Sequence, residues 1–115
     1  SEVAPDLKFV NELRGNKILM KGNHEYWWNS LSKINRIKQE NSFYSIYFLQ
    51  NSAIDINGIV VCGSRGWKCP GENDFSSEDD KIYKRELLRL QMSLDAATKI
   101  SGKEIVCFMH FPPFN

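Results

Sequence analysis

Cysteine is scarce in this chain of 115 residues, which holds three: Cys62, Cys69 and Cys107. They are odd in number, far apart and form no C-x-x-C pair. That argues against a disulfide framework or a zinc knuckle and for reduced thiols in a cytoplasmic protein. An excess of either charge is also missing. Against 14 Asp and Glu stand 15 Lys and Arg, a net charge of +1. Such a balance gives no electrostatic argument for a nucleic-acid or membrane partner. No run approaches the roughly 18 apolar residues that a membrane helix needs. The opening residues, Ser1-Glu2-Val3-Ala4-Pro5-Asp6, lack the basic and then apolar order of a signal peptide. There is no initiator methionine, and Phe111-Pro112-Pro113-Phe114-Asn115 follows an apolar run directly. Both ends are therefore expected to be cut from something longer.

What is present is an ordinary globular composition, 42% hydrophobic and 25% charged. The length suits one small domain with a modest core. Pro5 to Arg14 reads as a short helix with Leu7, Phe9, Val10 and Leu13 on its apolar face and Gly15 as its cap. Lys17 to Met20 reads as a strand. Asn29 or Ser30 can cap a second helix, with Leu31, Ile34 and Ile37 on one face. Ser42 to Leu49 is aromatic and β-branched and reads as a strand. Ala53 to Ile56 and Ile59 to Cys62 flank Asn57-Gly58, the strongest short hairpin signal, because both turn positions need positive φ.

Gly63-Ser64-Arg65-Gly66-Trp67 follows as a glycine-punctuated loop, then a polar segment to Asp80 in which Cys69 is expected to be the exposed thiol. Ser76 and Ser77 each have an Asp three residues on, which marks a capped helix start. The helix from about Glu78 to Lys99 carries Tyr83, Leu87, Leu90, Leu94 and Ala97 at spacings of four, three, four and three, an amphipathic stripe expected to form core. The acidic run Glu78-Asp79-Asp80 complements the helix dipole at that start. Glu104 to Met109 reads as a second short, fully apolar strand, and the alternation of strands and helices gives an α/β class with a mixed sheet.

The stretch from Lys17 to Trp28 organises the rest. A strand breaks at Gly22, and Asn23, His24 and Glu25 follow, then Tyr26, Trp27 and Trp28. The strand from Glu104 likewise ends in His110. Parallel neighbouring strands would bring both histidines to one sheet edge, where open α/β sheets place their ligands. Asn offers a carbonyl oxygen and His a neutral nitrogen, both usable by a borderline divalent cation. A histidine that does not ligate can donate to a leaving group. Asn23 could equally be a turn residue, and Tyr26-Trp27-Trp28 is more often packing than a platform for a base or sugar. Arg65 could clamp a phosphate bidentately or pair with a structural carboxylate.

Gly22-Asn23-His24-Glu25, with a strand and His110 far downstream, resembles the calcineurin-like metallophosphoesterases. That family's pattern runs D-x-H, G-D-x-x-D, G-N-H-[DE], a lone H, then G-H-x-H, and this chain holds the third and fourth blocks. It looks closest to a bacterial group of predicted phosphohydrolases with G-N-H-[DE]-Y-W-W and G-[ST]-R-G-W. Gly22–Trp28 and Gly63–Trp67 match these, and Met109-His110-Phe111-Pro112-Pro113 also fits.

The resemblance implies a four-layer αββα sandwich, of which residues 1–115 would be a partial domain. It implies two divalent metal ions (Mn²⁺, Fe²⁺ or Zn²⁺) in the full-length protein and a phosphoester substrate. Asn23 and His110 would ligate one metal and His24 would face the scissile phosphate. Glu25 would support from behind, with Gly22 at the turn, and Arg65, Trp27 and Trp67 are candidate substrate contacts. The D-x-H, G-D-x-x-D and G-H-x-H blocks are not among these 115 residues, so a dinuclear site is not expected from this chain alone. The rival reading is a non-catalytic binding or assembly module on the same fold. A nuclease of the same family gains nothing from the near-neutral charge. Apolar strand edges of a partial sandwich are expected to self-associate.

Overall fold

The structure, a computed structural model, describes residues 3–20, 31–100 and 104–114. Its described elements are α1 (Val3–Glu12), β1 (Lys17–Met20), α2 (Leu31–Glu40), β2 (Ile46–Leu49), β3 (Ala53–Ile56), β4 (Ile59–Ser64), α3 (Ser77–Thr98) and β5 (Glu104–Met109). Three helices and five strands make an α/β chain, divided into two compact units, Ser1–Phe48 and Leu49–Asn115. No described helix is long and apolar enough to cross a membrane.

In the first unit β1 pairs with β2. Leu7 of α1, Ile34 of α2, Phe43, Ile46 and Phe48 form its buried core, with Val10, Leu19 and Ile37 packed against it. The 3.6-residue period supplies the helical members of this cluster. Lys17 ties the unit together at its polar end. Its Nζ donates to the carbonyls of Asn11 (3.1 Å) and Leu13 (2.7 Å), which α1 leaves without helical partners, and to Ser45 Oγ (2.7 Å).

The strand expected over Ser42 to Leu49 is shorter, and the reason is the end of α2. Ser42 adopts φ 58°, its N–H donates to the Gln39 carbonyl (3.2 Å), and Phe43 N–H donates to the Lys38 carbonyl (2.9 Å). These paired bonds around a left-handed residue are a Schellman cap. Residues with strand composition are thus used to close a helix, with Phe43 buried under it.

The second unit is a three-stranded mixed sheet in the order β3-β4-β5, with α3 packed on it. β3 and β4 form the expected antiparallel hairpin, Ile56 opposite Ile59, with Asn57 and Gly58 both at positive φ. β4 and β5 run parallel, from Ile59 opposite Glu104 to Ser64 opposite Met109. Gly63 and Ser64, expected in a loop, therefore lie in the strand. Val60, Cys62 and Ala97 are the buried core here, with Ala53, Leu94 and Ile100 against them. β5, like β3, is an outer strand of this described sheet, and Ile105, Val106 and Phe108 are exposed along it.

Two sequence expectations need correction. The α3 residues that are buried are Asp79, Glu86, Ser93 and Ala97, whereas Leu87 is 47% exposed. Of the expected stripe, Ala97 is in the core and Leu94 packs against it, while Tyr83, Leu87, Leu90 and Leu94 lie roughly 60° to one side of the buried line on the helix circumference. The line is polar because α3 crosses β4 where a backbone N–H and a hydroxyl need partners: Gly63 N–H donates to Ser93 Oγ (2.8 Å) and Ser64 Oγ to Glu86 Oε2 (3.2 Å). Cysteine exposure is also reversed. Cys69 is buried, with Sγ 3.7 Å from the Pro112 carbonyl, and Cys107 is the exposed thiol.

Candidate functional site

Lys21 to Ser30 lie outside the described residues, and with them Gly22, Asn23, His24, Glu25 and Trp27. The described part of the candidate site is in the second unit, at the carboxyl ends of β4 and β5. Because these strands are parallel and in register to Ser64 and Met109, they release Arg65 and His110 side by side. Phe111 N–H then donates to the Arg65 carbonyl at 2.9 Å, extending the pairing by one bond into the loops. The sheet thus joins the R-G-W loop to the H-F-P-P segment, two stretches separated by more than forty residues of sequence.

His110 is exposed at the strand end, its ring edge-on to Phe111 with centroids 5.2 Å apart. Phe111 in turn lies against Trp67, at 5.1 Å and 52°. The Arg65 guanidinium sits over the Trp67 ring at 4.9 Å. Arg65 Nη2 also donates to Glu86 Oε1 at 2.9 Å, so of the two roles open to this arginine it holds the structural carboxylate here. Arg89 Nη1 reaches the same oxygen at 2.8 Å. Glu86 is buried and takes both cations, which satisfies the rule that buried charge is paired.

Trp67 Nε1 donates to Asp79 Oδ1 at 2.9 Å. Asp79 also closes a reciprocal capping box with Ser76, its Oδ2 accepting from Ser76 N–H at 2.9 Å while Asp79 N–H donates to Ser76 Oγ at 3.1 Å. The Ser76 N–H, then the Trp67 indole, then the Ser76 hydroxyl hold the Asp79 carboxyl down at about 2. The expected role of the acidic run at the helix start is present, and one of its members also fixes a loop tryptophan. Lys68 Nζ is 2.9 Å from Asp74 Oδ2 and 3.8 Å from Asp79 Oδ2. That partnership raises the lysine and lowers Asp74.

Beside these loops opens a small cleft of about 40 Å³, lined chiefly by Trp67, Tyr83, Leu90, Met109 and Pro113. Its charged member, Glu86, is engaged by the arginines, so the cleft offers apolar surface rather than an anion site. Among the described residues no group of three or more His, Cys, Asp or Glu comes together to hold a metal ion. Of the implied ligands, His110 alone is described, with a side chain whose nitrogen chemistry and exposure fit one position of such a group.

Sequence reasoning missed Glu86, Ser93 and the bond from Trp67 to Asp79. A signal was available: Asp79, Glu86 and Ser93 recur every seven residues, which places three polar side chains on one helix face. Comparison of the chain with models of protein families, with curated proteins and with solved structures returns no match.

Proposed function

We propose that this chain is part of a metal-dependent phosphohydrolase of the calcineurin-like type, cytoplasmic, built as a partial four-layer αββα sandwich over residues 1–115. The observation that carries the proposal is the placement of His110. A parallel strand delivers it to the carboxyl edge of a sheet, beside the Gly63–Trp67 stretch, strand end and loop, whose sequence shares the resemblance. Parallel strands and their carboxyl ends are where open α/β sheets hold ligands.

In this reading Asn23 and His110 each give one donor atom to the same divalent ion, Mn²⁺, Fe²⁺ or Zn²⁺, of a pair. When bound, such ions supply an activated water and charge stabilisation at the phosphoryl oxygens. His24 donates a hydrogen bond or a proton to the leaving oxygen. Gly22 allows the turn and Glu25 supports the histidine loop. Trp27 and Trp67 offer aromatic surface to the organic part of the substrate. The described bond from Arg65 to Glu86 favours a framing role for Arg65, holding the loop that lies beside His110.

The test uses the parent protein with an aryl phosphodiester and Mn²⁺. His24→Ala and His110→Ala are each expected to lower turnover by about 100-fold or more, and His110→Ala also to lower bound metal by direct metal analysis. Wild-type turnover in both variants would sink the proposal. The exposed apolar edge of β5 supports a second reading, a non-catalytic assembly module that self-associates. Metal retained at wild-type level in His110→Ala, with no hydrolysis by either protein, would favour it.

A further inference from the structure

Cys62 and Cys107 stand directly opposite each other on the parallel pair β4 and β5. Paired residues of neighbouring parallel strands present their side chains to the same face of the sheet. Neighbouring strands lie about 4.8 Å apart, within the Cα separation of about 4.4–6.8 Å that a disulfide spans. The two thiols differ in access. Cys62 is fully buried beneath α3, with Ala97 and Val60 around it, while Cys107 is exposed on the outer strand β5. We propose that Cys62 and Cys107 form a redox modification site, in which exposed Cys107 reacts first with a peroxide and buried Cys62 resolves it to a disulfide across β4 and β5.

The order of events follows from access and chemistry. Burial first, and then the neighbouring Cys107 sulfur, push the Cys62 thiol up to about 11, so Cys62 is held protonated and shielded. Cys107 is the sulfur that a peroxide can reach. It attacks one peroxide oxygen, the O–O bond breaks, and the departing hydroxide takes up the thiol proton as water, leaving a sulfenic acid. The Cys62 sulfur then attacks the Cys107 sulfur. The S–S bond forms, the S–O bond breaks, and hydroxide leaves with the Cys62 proton as a second water. Two thiols lose two electrons in all, and one peroxide becomes two waters.

The disulfide would pin β5 to β4 three residues before His110. Oxidation would thus fix the strand that presents that histidine. The site itself rests on the strand register and stands apart from any metal chemistry. Cys69, buried against the Pro112 carbonyl, is an internal control.

The experiment treats the reduced, folded chain with hydrogen peroxide, blocks remaining thiols with N-ethylmaleimide, and maps peptides by mass spectrometry. The expected product is a monomer lighter by two hydrogens before alkylation, with Cys62 linked to Cys107, Cys69 unlinked and open to the maleimide once denatured, and full reversal of the link by dithiothreitol. Cys107→Ser, a change at an exposed position, is expected to abolish the product and leave Cys62 reduced. Two outcomes would overturn the proposal: Cys107 oxidised to sulfinic acid while Cys62 remains alkylatable after denaturation, or a crosslink between the Cys107 residues of two chains.

Discussion

Arg65 and Glu86 form a salt bridge of 2.9 Å between the loop after β4 and the middle of α3, with the Glu86 side chain 3% exposed. The same carboxylate accepts from Arg89 and from Ser64 Oγ. One buried anion thereby joins the end of a central strand, the loop beside His110 and the long helix.

The two sides of this bridge are unequal, and substitution should reveal it. Glu86→Ala leaves Arg65 and the buried Ser64 hydroxyl without their shared acceptor and is expected to cost about 3 kcal/mol, as for one partner removed from a buried pair. Arg65→Ala leaves Glu86 with Arg89 at 2.8 Å and is expected to cost less, about 1 kcal/mol. Urea midpoints of the two variants measure the order, and equal losses would show that Arg89 does not compensate.

Gly63 is fixed by the neighbouring strand. A Cβ there would lie 1.9 Å from the Phe108 carbonyl oxygen, whereas one at Gly58 meets nothing within 4 Å. Gly63→Ala must push β5 away from β4 and is expected to destabilise by about 3 kcal/mol, the upper range for overpacking. Gly58→Ala is strained only by its φ of 88° and should cost about 1 kcal/mol. Hydrogen exchange should show lost protection in β5 for the first variant and not for the second.

Acid should loosen the start of α3. Asp79 is held at about 2 in the folded chain, below the roughly 3.9 of an unfolded aspartate. Its contribution is therefore complete above about pH 4 and is lost as pH falls toward 2, because the unfolded state takes up the proton first. Asp79→Asn should flatten the pH dependence of the urea midpoint over this window relative to wild type. A variant curve parallel to the wild type would refute the assignment.

Lys17 is expected to matter more than its place at a strand start suggests. Lys17→Met keeps the apolar stem but removes the Nζ bonds to the Asn11 and Leu13 carbonyls and to Ser45 Oγ. A loss of about 2 kcal/mol is expected for charge-assisted bonds of this kind. Faster amide exchange in α1, with α3 unchanged, would place the loss in the first unit.

Much of the local architecture was legible in the chain. Asn57-Gly58 predicted a hairpin, and both residues take the positive φ that such a turn demands. Ser76 with Asp79 predicted a capped helix, and the reciprocal bonds are there. These features are governed by residues a few positions apart, so sequence spacing captures their physics. The described part of the site was legible only as separate words: R-G-W in one place and H-F-P-P in another.

Sequence alone determined the α/β alternation, the turn and cap positions, and the apolar strand that ends in His110. Tertiary structure decided what those pieces serve. Parallel register between β4 and β5 set Arg65 beside Phe111 and Cys62 opposite Cys107. The close crossing of α3 over β4 made a polar line, Asp79, Glu86 and Ser93, the buried face of a helix whose leucines had claimed that role. The segment around Pro112 lies against Cys69, which is buried, and the sheet edge left Cys107 in the open. Burial depends on which neighbour covers a residue, and unpaired N–H and hydroxyl groups on the covering strand dictate which side chains must meet them. Neither the neighbour nor its unmet groups is visible in one stretch of chain.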